Sequence, residues 1–132
     1  KKIADKIKLF FILHPPTRVS LKKNGYYDNL KENPRCVLLP RQGFFEFNNL
    51  LKKAEFLITD GGSNQEECFY LGTPCLLFRS ETERSEGIGE NIVVSNFDPT
   101  IIENFVLNYN SYRRQPIPVV FSPSRFIVDQ LV

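Results

Sequence analysis

Asp60-Gly61-Gly62-Ser63-Asn64-Gln65-Glu66-Glu67 sets two glycines between an apolar run and a stretch rich in acids. Backbone N–H groups at the start of a helix attract an anion, and glycine lets phosphate oxygens come close to them. Ser63 would either cap such a helix or give its hydroxyl to the same anion. The same residues would equally make a tight strand-to-helix turn with no ligand, and two glycines do not decide between the two. Glu66 and Glu67 would point about 100° apart on a helix, so they cannot share one role. One complements the helix dipole; the other could accept hydrogen bonds from vicinal hydroxyls such as those of a ribose.

Cationic groups follow two other apolar runs. His14 closes Leu9–Leu13 and precedes Pro15-Pro16, with Arg18 a turn later. A histidine there can donate to a phosphate or take on charge beside one. Arg79 and Arg84 bracket Ser80-Glu81-Thr82-Glu83 after a further apolar run. Arginine suits a diphosphate through its bidentate fork, while Glu83 and Glu86 offer these arginines ion pairs instead. Phe44, Phe45 and Phe47 read mostly as core, with one of them free to lie against a flat base.

The elements that would position these residues alternate. Leu9–His14, Arg35–Pro40, Glu55–Thr59, Pro74–Arg79 and Asn91–Ser95 are short apolar runs that read as strands. Phe45–Ala54 carries Phe47, Leu50, Leu51 and Ala54 at helical spacing, and Ser63–Gly72 ends on a glycine stop. Asp98-Pro99 announces a helix through Ile101–Tyr109, and Ser122–Val132 reads as another. Lys1–Lys8 reads as the last turns of a helix with a wet basic face, and Ser111–Val120 as a connector. Tyr26-Tyr27 falls in a loop or an irregular helix. Strands separated by helices predict an α/β fold: a parallel sheet in three α/β/α layers, Rossmann-like, as one domain over 1–132. Ligands of such sheets bind beyond the carboxyl ends of the strands, where His14, the glycine turn and Arg79–Glu86 would gather.

Composition narrows the function classes. A net charge of +2 with interspersed signs offers no nucleic-acid patch. No apolar run reaches the roughly 20 residues of a membrane helix, and no secretory leader pattern appears. Three cysteines without Cys-x-x-Cys spacing, and a histidine remote from them, argue for buried thiols in a reducing cytoplasm rather than a zinc site. The chain lacks methionine, including an initiator, as expected of a piece of something longer.

His14-Pro15-Pro16-Thr17-Arg18, the Asp60–Glu67 turn and Thr82-Glu83-Arg84-Ser85-Glu86, in this order, resemble the C-terminal domain of the non-hydrolysing bacterial UDP-N-acetylglucosamine 2-epimerases. The likeness runs from about Phe10 to Ile102. It implies one half of a two-domain GT-B enzyme that interconverts UDP-GlcNAc and UDP-ManNAc by eliminating and re-adding UDP, for surface polysaccharide precursors. Carried over by position, His14 and Arg84 are the groups at the diphosphate. Phe47 lies against uracil, Gly61, Gly62 and Ser63 cradle phosphate, Glu67 accepts the ribose hydroxyls, and Arg18 joins the substrate site. No metal or cofactor is implied. The partners implied are UDP-GlcNAc or UDP, an N-terminal domain of the same chain, and a second copy in a homodimer; the isolated fragment would be inactive. The family's Ser-Gly-Gly stands here as Gly61-Gly62-Ser63, and the proline of its Thr-Glu-Arg-Pro-Glu is Ser85. Two other readings share these residues: the nucleotide-sugar half of a GT-B glycosyltransferase, and a non-catalytic relic domain.

Overall fold

The computed structural model describes residues 7–118, 120 and 122–131, and the chain divides into two compact units, 1–49 and 50–132. The predicted α/β class with parallel strands is what both contain. Lys1, Lys2 and Lys6 of the expected N-terminal helix lie outside the described residues, and Ile7 and Lys8 are not helical.

In the first unit β1 (Leu9–Leu13) pairs in parallel with β2 (Cys36–Pro40), Leu9 opposite Cys36 and Leu13 opposite Pro40. With only two strands in this sheet β2 is an edge strand, where a proline is tolerated. Between the strands run α1 (Pro15–Lys23) and α2 (Tyr26–Lys31). The sequence predicts a strand bounded by Pro15-Pro16 and no helix at that point. Yet the first turn of a helix needs no N–H, so both prolines are at home in it. His14, held extended at φ −71° and ψ 150° by the proline after it, becomes the N-cap residue.

Helix α3 (Phe44–Lys53) carries the boundary between the units. Burial deepens along it, from exposed Phe44 and Phe45 through half-buried Phe47 to Leu51, which is 2% exposed. The expectation that Phe44 and Phe45 are core is therefore wrong: they occupy the helix's first turn, ahead of its packed part, and their rings meet edge to face at 5.5 Å.

The second unit holds three parallel strands in the order β3 (Leu57–Thr59), β4 (Cys75–Leu77), β5 (Ile92–Val94). Central β4 is wholly buried, as its uninterrupted apolar sequence requires. Helix α4 (Gly62–Leu71) makes the crossover from β3 to β4. It ends at Gly72, in the left-handed region at φ 66°, where a Cβ would strike the carbonyl of Arg114. Helix α5 (Pro99–Asn108) begins as expected, with the Asp98 carboxylate accepting from Thr100 N–H at 2.7 Å and Pro99 at the first position. Phe105, completely buried, takes the edge of Phe56 and stacks with Tyr112 on the 3₁₀ turn after α5. Asn91 spends its buried amide on the carbonyls of Cys68 and Thr73, both at 2.9 Å, fixing the end of α4 to the start of β5. The connector after Tyr112 crosses the end of α4: Arg114 N–H donates to Gly72 O at 3.0 Å and Ile117 N–H to Tyr70 O at 2.9 Å. The Arg113 guanidinium reaches the carbonyls of Ala54 and Glu55. Helix α6 (Pro123–Leu131) comes last.

Candidate functional site

Strand β3 delivers the chain to Asp60 and the glycine turn. Helix α4 starts at Gly62, one residue before the expected Ser63, and its N-cap is Gly61. Ser63 is exposed and already helical, so its hydroxyl caps nothing. Thr59 does part of that work: its hydroxyl accepts from Gly61 N–H at 3.1 Å and donates to Asn64 Oδ1 at 2.9 Å. Among the described residues no acceptor approaches the N–H groups of Gly62, Ser63 or Asn64. Three adjacent donors at the positive end of a helix are chemically suited to receive an anion.

Arg84 lies across this turn. A Cβ on Gly62 would stand 2.5 Å from Arg84 Nε, so glycine is required for the guanidinium to come this close. Arg84 Nη1 pairs with Glu66 Oε1. Its Nε is buried without a hydrogen-bond partner, with the nearest Glu83 oxygen at 3.8 Å. Glu83 also bridges Arg79 at 3.4 Å, the ion pairing anticipated for these acids. A hydrogen bond to its own backbone, and then the Arg79 charge, hold the exposed Glu83 carboxyl below the ordinary glutamate range.

Glu66 and Glu67 divide their roles as their angular separation demands. Glu66 holds Arg84; Glu67, half-buried, receives Asn64 Nδ2 on Oε2 at 3.0 Å. Its Oε1 has no protein partner among the described residues and can accept a hydroxyl. The second unit thus brings together Gly61, Gly62, Ser63, Glu67 and Arg84.

His14, Arg18 and Phe47 belong to the first unit. His14 is exposed at the N-cap of α1, and its ring makes no capping bond. Arg18 lies over the Tyr27 ring at 5.5 Å, with the Lys22 ammonium over the same ring at 5.2 Å. Leu13, Arg18, Tyr27, Pro40 and Arg41 line an open groove of about 380 Å³ at the carboxyl ends of β1 and β2. Phe47 is half-buried on α3.

Gln65, Asn64, Thr59 and Thr82 lie in or beside the motifs quoted above, but the sequence gives none of them a role of its own. A signal for Gln65 exists nonetheless: it shares a helical face with Cys68 and Gly72, and an amide on a buried face must find partners. All three cysteines are free and buried, as expected. The Cys68 thiol is pushed far up by its hydrogen bond with Cys75 and by burial. Among the described residues, no three His, Cys, Asp or Glu side chains are arranged to hold a metal, and no helix is long and apolar enough to cross a membrane.

Comparison with known proteins runs along the same lines. The family described as UDP-N-acetylglucosamine 2-epimerase matches residues 1–115. The UDP-N-acetylglucosamine 2-epimerase of Methanocaldococcus jannaschii is 35% identical over 119 residues, 89% of this chain and 32% of that protein. That of Methanococcus maripaludis is 36% identical over 99 residues, 74% of this chain and 27% of that protein. The chain thus spans about a third of the length of these relatives. Solved structures of the Methanocaldococcus jannaschii enzyme superimpose with TM-scores of 0.77 and, for its complex with UDP-GlcNAc and UDP, 0.73, at 30% and 31% identity. Each superposition covers 98% of this chain and 37% of the other.

Proposed function

The chain belongs to the UDP-N-acetylglucosamine 2-epimerase family, and from that premise we propose that it is the UDP-gripping, C-terminal Rossmann-like half of a GT-B enzyme interconverting UDP-GlcNAc and UDP-ManNAc. The observation that carries this reading is the α4 turn, with three open amides, an arginine laid over Gly62, and a carboxylate with a free oxygen one turn along.

Elimination of UDP loads negative charge onto the departing β-phosphate oxygen. Donors already aimed at that oxygen stabilise it more than they stabilise the bound substrate. In this assignment the Gly62, Ser63 and Asn64 amides and Arg84 take the diphosphate, while Glu67 accepts the ribose hydroxyls. Gly61, without a Cβ, leaves room for the Asn64 side chain beside the turn. Within the first unit, His14 and Arg18 offer cationic groups suited to a diphosphate, and Phe47 an aromatic face suited to uracil. The base that removes the carbon-bound proton and the acid on the opposite face come from an N-terminal domain, so the 132-residue chain alone is inactive. The complete enzyme works as a cytoplasmic homodimer supplying polysaccharide precursors.

The test is a titration of the ¹⁵N-labelled chain with UDP, uridine and inorganic phosphate, followed by NMR. Saturable shifts at Gly62, Ser63, Asn64 and the Arg84 side chain with UDP, larger than with either part alone, are expected. A silent α4 turn at millimolar UDP would end this assignment.

A further inference from the structure

Gln65 is wholly excluded from solvent, one residue before the carboxylate that holds Arg84. All its side-chain hydrogen bonds go to one loop. Nε2 donates to the carbonyls of Arg84 at 3.2 Å and Glu86 at 2.9 Å, and Oε1 accepts from the Thr82 hydroxyl at 2.8 Å. The same hydroxyl oxygen accepts from Arg84 N–H at 3.3 Å. The backbone on both sides of Arg84 is thereby tied to the first turns of α4, the part of the helix whose amides are open.

The loop holds this shape at a cost. Arg84 Nε and Glu86 Oε2 are both buried without hydrogen-bond partners, and charged groups left so are destabilising. A loop free to relax would turn those atoms to water. The four hydrogen bonds centred on Gln65 and Thr82 are the contacts that prevent it. The Glu66–Arg84 pair cannot do so alone, since it joins half-exposed side chains and leaves the loop backbone loose.

We propose that Gln65 is a positioning residue: by clamping the Thr82–Glu86 loop to α4 it sets the Arg84 guanidinium over the Gly62 turn, and it governs anion binding without touching the anion. This rests on the diphosphate reading of the turn, but the clamp is testable without ligand. Gln65→Glu keeps the shape and loses both donors; Gln65→Met removes all three hydrogen bonds.

In the ligand-free chain, NMR hydrogen exchange at Arg84 Nε–H reads the clamp directly. Protection is expected in the parent chain and lost in both variants. UDP titrations of Gln65→Met, Arg84→Met and the double variant then form a cycle. Gln65→Met should weaken UDP binding about tenfold when Arg84 is present, and less than about twofold when it is absent. Gln65→Glu should recover part of that loss as the pH falls, because the protonated carboxyl regains one donor. A merely structural glutamine would lower affinity equally in both backgrounds, and that result overturns the proposal. So does an Arg84 Nε–H that stays protected in either Gln65 variant. If the Gln65 variants fail to fold, Thr82→Val removes the loop side of the same network, and it must weaken Nε–H protection for the proposal to stand. Protection that tracks Gln65 while UDP leaves every signal unmoved would keep the clamp and discard the diphosphate reading.

Discussion

Replacing Gly62 with alanine separates the fold from the site within one side chain. The new methyl would stand 2.5 Å from Arg84 Nε, 3.1 Å from Cδ and 3.3 Å from Cζ. Uncrowded contacts settle near 3.5 Å, so the guanidinium must withdraw by about 1 Å. It has somewhere to go, because the Arg84 side chain is 31% exposed and can swing outward, giving up Glu66, itself 40% exposed. A pair that accessible is worth at most about 1 kcal/mol. Alanine in place of glycine at the first helical position returns part of the ~1 kcal/mol it would return in a helix interior. The two partly cancel, so urea denaturation should place Gly62→Ala within about 1 kcal/mol of the parent. Anion binding has no such compensation. Losing charge-assisted hydrogen bonds from Arg84 removes about 1.5–3 kcal/mol, or one to two orders of magnitude in Kd for UDP. The open amides remain, so weak binding should persist. A variant that binds UDP as the parent does would refute the reasoning. So would one destabilised by more than about 2 kcal/mol, since that would make Arg84 a structural keystone.

Glu66→Gln removes a carboxylate that competes with the proposed diphosphate for Arg84, so UDP affinity should rise several-fold by NMR titration. A fall would mean that Glu66 orients Arg84 more than it occupies it. Gly72→Ala forces a Cβ into a left-handed residue, about 1–2 kcal/mol by itself, and against the Arg114 carbonyl besides, so the urea midpoint should fall by more than that strain alone. The Cys68 thiol is raised by its hydrogen bond with Cys75 and by burial, and burial raises that of Cys36. Both therefore stay protonated through pH 8, and a disulfide reagent should find almost no reactive thiol in the native chain and three in denaturant.

Strands were legible because parallel strands covered on both faces are apolar throughout: Cys75–Leu77 could hardly be anything else. Asp98-Pro99 spelled its helix start in two residues, and Gly72 its helix stop. Helix α1 was hidden because Pro15-Pro16 carries two meanings, breaking a strand and opening a helix, and only the packing of the residues downstream selects one. Phe44 and Phe45 misled for a related reason, since hydrophobicity reports a tendency to be buried and not a position along a helix. At the site, residue types announced the charges: Gly61-Gly62, the two glutamates and Arg84. What composition could not announce was the neutral framework. Thr59, Asn64, Gln65 and Thr82 act through hydrogen-bond geometry; the partners of Gln65 stand 17 to 21 residues away in sequence, and no local pattern encodes a partner that far away.

The connector that crosses the end of α4 bears on where this chain can be trimmed. The match to the family stops at residue 115. Ile117 still grips Tyr70, though, and Arg113 and Arg114 tether Ala54, Glu55 and Gly72. A shortened version cut at the family boundary would therefore keep every residue assigned to the ligand and still slacken the helix that presents them. The working edge of the piece lies past Ile117, beyond the last residue of the family match.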